Sequence, residues 1–217
     1  GAGAGAFDIA NLDIDGGTDI GAAIADSDLF IIDDGAGGTN RKTAASRLKT
    51  YIGGGITEAD QWRVSTNETT DWSSAGRHYI TSGWERVDNA QFEHIGSGMS
   101  ESSGVFTFPS TGKYYIRFQL DWTNRNAGTN YALTYMLAEI GVTTNNSSYS
   151  QFAHGSSSNF PNSGEYYHSV ATTYILDVSD TSNIKVKMGA YIANPMKFLG
   201  NTGYNKTHVT FIKLGDT

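Results

Sequence analysis

From Lys113 to Thr123 the hydrophobic character of the chain alternates residue by residue. Tyr114, Ile116, Phe118, Leu120 and Trp122 fall on one side, against Tyr115, Arg117, Gln119 and Asp121 on the other. A period of two belongs to a β-strand with one buried face; on a helix the same residues would scatter around the circumference. A face this aromatic needs a second sheet to cover it. Ile184, Val186, Met188, Ala190 and Ile192, against Lys185 and Lys187, supply another such strand. Shorter strand-like runs lie at 61–65, 77–80, 84–87, 91–95, 105–108, 131–140, 149–153, 166–178 and 206–214, parted by Gly, Asn and Ser. With 26 Gly and only 3 Pro, the pattern predicts an all-β antiparallel sandwich.

Some of these strands are apolar on both faces. Tyr115 and Tyr191 stand where a monomeric sandwich favours charge. Ile175 opposes Tyr174 and Leu176, and Tyr135 lies beside Leu133 and Leu137. Such a sheet is covered twice, by the partner sheet and by a further element. That element is either a loop of the same chain or another subunit. Subunit association is the more economical, and it makes Tyr115, Tyr135, Ile175 and Tyr191 the candidate interface.

The 217 residues suit one large β-domain, or a smaller one with an appendage. Cysteine is absent, which removes disulfides, thiolate nucleophiles and thiolate-ligated metals. A net charge of -7 argues against general nucleic-acid binding. No apolar run approaches the roughly 18 residues of a membrane span. GAGAGAFDIA has no basic segment followed by an apolar core, so it does not read as a signal peptide.

Charge divides the chain. Residues 1–34 carry eight Asp and no Lys or Arg, whereas 41–49 carry Arg41, Lys42, Arg47 and Lys49 and no acid. Asp28–Asp34 reads as a short strand, with Leu29, Phe30, Ile31 and Ile32 a continuous apolar run, and Gly35–Thr39 as a loop. Thr39 or Asn40 then caps a helix running to Ile52, with Leu48 and Ile52 on its apolar face and the bases on or beside the opposite one. Gly53–Gly55 is the natural hinge. The expected division is an anchor over 1–56 and a head over 57–217. Leu29, Ile31, Arg41, Lys42, Leu48 and Ile52 are the expected docking residues.

The same stretch raises two chemical readings. GAGGTNRKTA lacks the Walker spacing of glycines, lysine and hydroxyl, and Asp33 and Asp34 before it repel phosphate. Asp13, Asp15 and Asp19 beside glycines suit a hard cation, but they lack the helix-flanked loop and closing bidentate Glu of a calcium hand, and Asp and Gly are also ordinary turn residues. No cofactor and no metal is expected. His78, His94, His154, His168 and His208 fall in no metal or protease spacing, and no nucleophile elbow is present. Acid pairs of the glycosidase type are not recognisable on any one strand. No catalytic residue is named, and the chain is expected not to be an enzyme. The Asn-, Ser- and aromatic-rich loops point to recognition, with Tyr149, Phe152, Phe160 and Tyr204 as candidate contacts for a sugar or a protein surface.

FEHIGSGMSESSGVFTFPSTGKYYIRF (Phe92–Phe118) resembles the globular heads of the complement and tumour-necrosis-factor superfamily. Gly104, Phe106, Thr107, Pro109, Gly112, Tyr114, Tyr115 and Phe118 carry the shared pattern, and THVTFIKL (Thr207–Leu214) resembles the family's last strand. The resemblance implies a jelly roll of about ten strands assembling as a homotrimer. DLFIIDDGAGGTNRKTAASRLKTYI resembles a short module near the N-termini of tailed-phage fibre and virion proteins. Together these imply a virion structural protein on the particle exterior, docked on other virion proteins through its N-terminus and presenting its head for host attachment. The alternatives are a capsid decoration trimer and, second, a polysaccharide-degrading head.

Overall fold

The computed structural model describes residues 17–33, 40–52, 55–66, 72–126, 129–130, 135–158 and 164–217. The chain divides into two compact units, Gly1–Gly55 and Ile56–Thr217.

In the first unit β1 (Leu29–Asp33) pairs antiparallel with β2 (Asn40–Ala44), and α1 (Ala45–Ile52) follows at once. Its first N–H groups are satisfied by the turn before β1: Ala45 N–H donates to the Asp28 carbonyl at 2.8 Å and Ser46 N–H to that of Asp26 at 3.2 Å. The expected helix from Thr39 or Asn40 is therefore too long by a strand. Residues 40–44 find their backbone partners across the hairpin, and Thr43, opposite Phe30, is buried. Arg41 and Lys42, opposite Ile32 and Ile31, are neighbours on a strand and point to opposite faces. They do not belong to a basic helix face with Arg47.

The second unit is all-β. Its strands are β3 (Ala59–Val64), β4 (Gly76–Tyr79), β5 (Trp84–Arg86), β6 (Ser100–Ser102), β7 (Val105–Thr107), β8 (Gly112–Thr123), β9 (Arg125–Asn126), β10 (Thr129–Asn130), β11 (Met136–Thr143), β12 (Ser150–Ser157), β13 (Tyr167–Val178), β14 (Lys185–Ile192), β15 (Lys197–Phe198) and β16 (His208–Gly215). Two six-stranded antiparallel sheets face each other. The front sheet runs β13-β8-β16-β3-β5, with β15 continuing along β8 where β16 stops. The back sheet runs β12-β11-β14-β7-β6, with β4 sharing β14's edge beyond β7. β9 and β10 form a small ladder of their own. The chain passes repeatedly from sheet to sheet, as in a jelly roll, with only β6–β7, β11–β12 and β15–β16 following one another in the same six-stranded sheet.

Alternation dictates the core. Tyr114, Ile116, Phe118, Leu120 and Trp122 of β8 are buried, as are Val186, Met188, Ala190 and Ile192 of β14. Phe106, Phe108, Phe198 and Phe211 fill the space between them. Where glycine begins β8 the reason is steric. Gly112 has φ 143°, and a Cβ there would stand 2.6 Å from the Gly215 carbonyl oxygen. Along the other edge β12 and β13 join the two sheets: Phe152 packs against Tyr174, ring centroids 5.7 Å apart.

Two buried ionic groups tie the front sheet to its flanking loops. Arg63 is fully buried and donates to Glu85, Asp88 and Asn89. Asp60, 3% exposed, accepts from Trp62 Nε1 at 2.9 Å, from Met99 N–H at 2.8 Å and from Arg86. One expected strand is absent: after a turn at residues 90–91 the chain has no regular structure through 94, and only Ile95 bridges to Ala59. Phe92 and Ile95 are three residues apart, out of step with a strand's period of two, and the bridge from Ile95 to the first residue of β3 does not extend into a ladder. Ser100–Ser102 is a strand that has no apolar residue to announce it.

Candidate functional site

The front sheet turns an apolar row outward at one end. Ile175, 59% exposed, stands directly opposite Tyr115, and Tyr115 opposite Ile212. Further along the same face the residues become polar. Arg117 donates to Gln119 at 3.0 Å, and Gln119 to Asp121 at 3.2 Å. His208 Nδ1 lies 2.8 Å from the Lys206 carbonyl. A carbonyl only accepts, so Nδ1 carries the proton and Nε2, 3.4 Å from Arg117 Nη1, is the acceptor. Burial, with Arg117 adding to it, lowers the His208 pKa against the opposing pull of the Lys206 carbonyl and Asp121.

The back sheet presents a different outer face. β4 runs close against β14: Tyr79 stands opposite Gly189 and Arg77 opposite Tyr191, and a Cβ at Gly189 would run into the backbone of His78 and Tyr79. Arg77 Nε donates to Glu139 Oε2 of β11 at 2.6 Å, and Arg77 Nη2 to Gln151 of β12 at 3.2 Å. Gln151 Nε2 then meets His154 Nδ1 at 2.7 Å. The Glu139 side chain is 1% exposed and that of Arg77 41%. Their hydrogen bond holds the Arg77 pKa above its ordinary value.

Rings flank this polar chain on both sides. Tyr135 and Tyr191 lie parallel, 8° apart in plane and 6.1 Å between centroids. On the other side Tyr79 lies over Gly141, where a Cβ would run into its ring at 2.8 Å. Tyr149 is tilted against Tyr79, and Lys187 Nζ sits 4.5 Å from the Tyr149 ring centroid. The Tyr79 hydroxyl is buried and without a hydrogen-bond partner among the described residues. Burial raises the pKa of both phenols.

No protein-family model matches the chain, and no curated protein does. Solved structures do. Murine APRIL has 13% identity and a TM-score of 0.51, covering 72% of this chain and 98% of its own. An Eiger TNF from S. frugiperda has 13% identity and the same TM-score of 0.51, covering 75% of this chain and 95% of its own. The fold is a tumour-necrosis-factor-like jelly roll. The resemblance read from Gly104 to Phe118 therefore holds at the level of the fold.

Within this TNF-like head the candidate residues fall into separate places. Tyr115 and Ile175 are cross-strand partners on the front sheet, whereas Tyr135 and Tyr191 stack on the back sheet, so the four form two patches on opposite faces. Tyr149 belongs to the back-sheet cluster rather than to a free loop. Phe152 lies on the closed edge, and Tyr204 is 58% exposed on the loop before β16, with Lys206 over its ring. Phe160 lies outside the described residues. In the first unit Leu29 and Ile31 are 60% and 64% exposed, Arg41 and Lys42 are exposed, and Leu48 is half-buried. The side chain of Ile52 lies outside the described residues. Sequence reasoning missed Arg77, Tyr79, Glu139 and Lys187. The available signal was glycine inside two strands, at 141 and 189, which marks close approach.

Among the described residues no group of His, Cys, Asp or Glu is arranged to hold a metal ion, and Asp13 and Asp15 lie outside them. Asp19 is described, and its carboxylate accepts from the Gly21 N–H at 3.0 Å as a local turn. No described helix is long and apolar enough to cross a membrane.

Proposed function

We propose that this chain is a virion structural protein of a tailed phage: a homotrimer carried on the particle exterior, docked through residues 1–56 and presenting its TNF-like head to the host surface. The observation that carries the assembly is the row Ile175–Tyr115–Ile212. It is an apolar strip on the outside of a sheet whose inner face is already covered, and a second copy of the chain is the economical cover. Docking is supported by the hairpin of the first unit, where Leu29 and Ile31 stand exposed on strands too few to hold themselves together. The phage assignment rests on the resemblance of Asp28–Ile52 to the N-terminal module of such proteins. Three heads on one particle would turn weak contacts into firm attachment.

Light scattering of the full chain and imaging of particles that carry it test this reading together. The expected results are about three times the chain mass and density on the tail. A monomer overturns the assembly. Density at three-fold positions of the capsid replaces attachment with the decoration reading, which the short chain suits equally well.

A further inference from the structure

The outer face of the back sheet carries more chemistry than a sandwich needs. The chain as a whole has a net charge of -7. Yet the outward positions of β4, β14, β11 and β12 include Arg77, Lys185 and Lys187, and their one acid is Glu139, buried and already paired with Arg77. The face is therefore locally positive. Its centre is polar, the chain Arg77–Glu139–Gln151–His154, and its two flanks are aromatic. The register places the Tyr135–Tyr191 pair and the Tyr79–Tyr149–Lys187 cluster four residues apart along β11, on either side of Glu139. That spacing is about 13 Å, more than the width of one pyranose ring.

Each feature selects the same ligand. A tyrosine face attracts the slightly positive C–H groups on a pyranose face. Arg77, Gln151 and His154 offer hydrogen-bonding groups to hydroxyls. Lys185 and Lys187 favour a carboxylate. A protein partner would call for an apolar centre rather than an ion pair, and nucleic acid for many more cations than this face holds. We propose that the outer face of the back sheet, centred on Arg77 and Glu139, binds a carboxylate-bearing oligosaccharide.

This gives a ligand class to the attachment reading, and the two are measured separately. The full chain is titrated calorimetrically with tetragalacturonate, hyaluronan tetrasaccharide and a sialic acid tetramer, each beside neutral maltotetraose. At least one acidic oligosaccharide binds, and maltotetraose binds at least about tenfold more weakly. Lys187→Gln and Tyr191→Ala each weaken binding about tenfold with an unchanged melting temperature. Lys187→Gln alters only a half-exposed side chain, and it keeps the test readable if Tyr191→Ala melts early. Absence of binding to every acidic probe overturns the proposal. So does equal binding of maltotetraose, or binding indifferent to both substitutions. Undiminished host adsorption by particles carrying Lys187→Gln, with binding lost in the titration, would sink attachment and leave this site standing.

Discussion

Single residues in the head show what each local contact demands. The Tyr79 hydroxyl is buried over Gly141 with no partner among the described residues, an arrangement that costs free energy rather than supplying it. Its ring still packs on Tyr149 and faces Lys187. Tyr79→Phe is therefore expected to leave thermal stability unchanged or to raise it by up to about 1 kcal/mol. A loss of that size in chemical denaturation would reveal a partner for the hydroxyl. Gly112 makes the opposite case. Its positive φ and the Gly215 carbonyl at its back leave no room for a Cβ. Gly112→Ala should cost about 1–3 kcal/mol, read as a lower denaturation midpoint with an unchanged slope; an unaltered midpoint would contradict the geometry.

At the scale of elements, the long alternating strands were legible because each carries its own period. β8, β13 and β14 could be placed from residues 113–123, 166–178 and 183–192 within a residue or two. The N-terminal helix was not, since Asn40–Ala44 has no strong preference of its own and becomes a strand only because LFIID lies alongside. The back-sheet cluster was illegible for a related reason. Arg77 and Glu139 are 62 positions apart, and only the register of β4, β14 and β11 brings them together. Tyr149 was readable as an exposed aromatic, but its partners were not.

Element packing also predicts a response to acid. His208 is buried on β16, and His168 on β13 is stacked on Trp122 with its Nε2 buried and unpartnered among the described residues. Burial lowers both pKa values. The folded state then binds fewer protons than the unfolded chain, so stability rises with pH across this range. It is fully present above about pH 6.5, the ordinary histidine value, and is lost as pH falls below that toward the folded values. Melting curves from pH 7.5 to 5 should shift downward, and His208→Gln should flatten the slope. A slope unchanged in that variant would remove His208 from the account.

For the whole molecule the sharpest consequence concerns assembly. Ile175 is 59% exposed, so an aspartate there disturbs little within one chain. In the proposed homotrimer it places a charge in each buried interface. Ile175→Asp is expected to yield monomers by light scattering with a folded circular-dichroism spectrum. A persistent trimer would move the interface away from the front sheet.

The sheet order has a further meaning for how such a chain is made. β16, the last strand described, does not lie at an edge; it sits between β8 and β3 and contributes Val209 and Phe211 to the core. During synthesis every other strand of the front sheet emerges before the one that joins its halves. Until β16 arrives, β8 and β3 each present an open edge, and neither half has a closed core. Closure of the front sheet therefore waits on β16, and without His208–Gly215 the facing edges of β8 and β3 stay open to pairing with another chain.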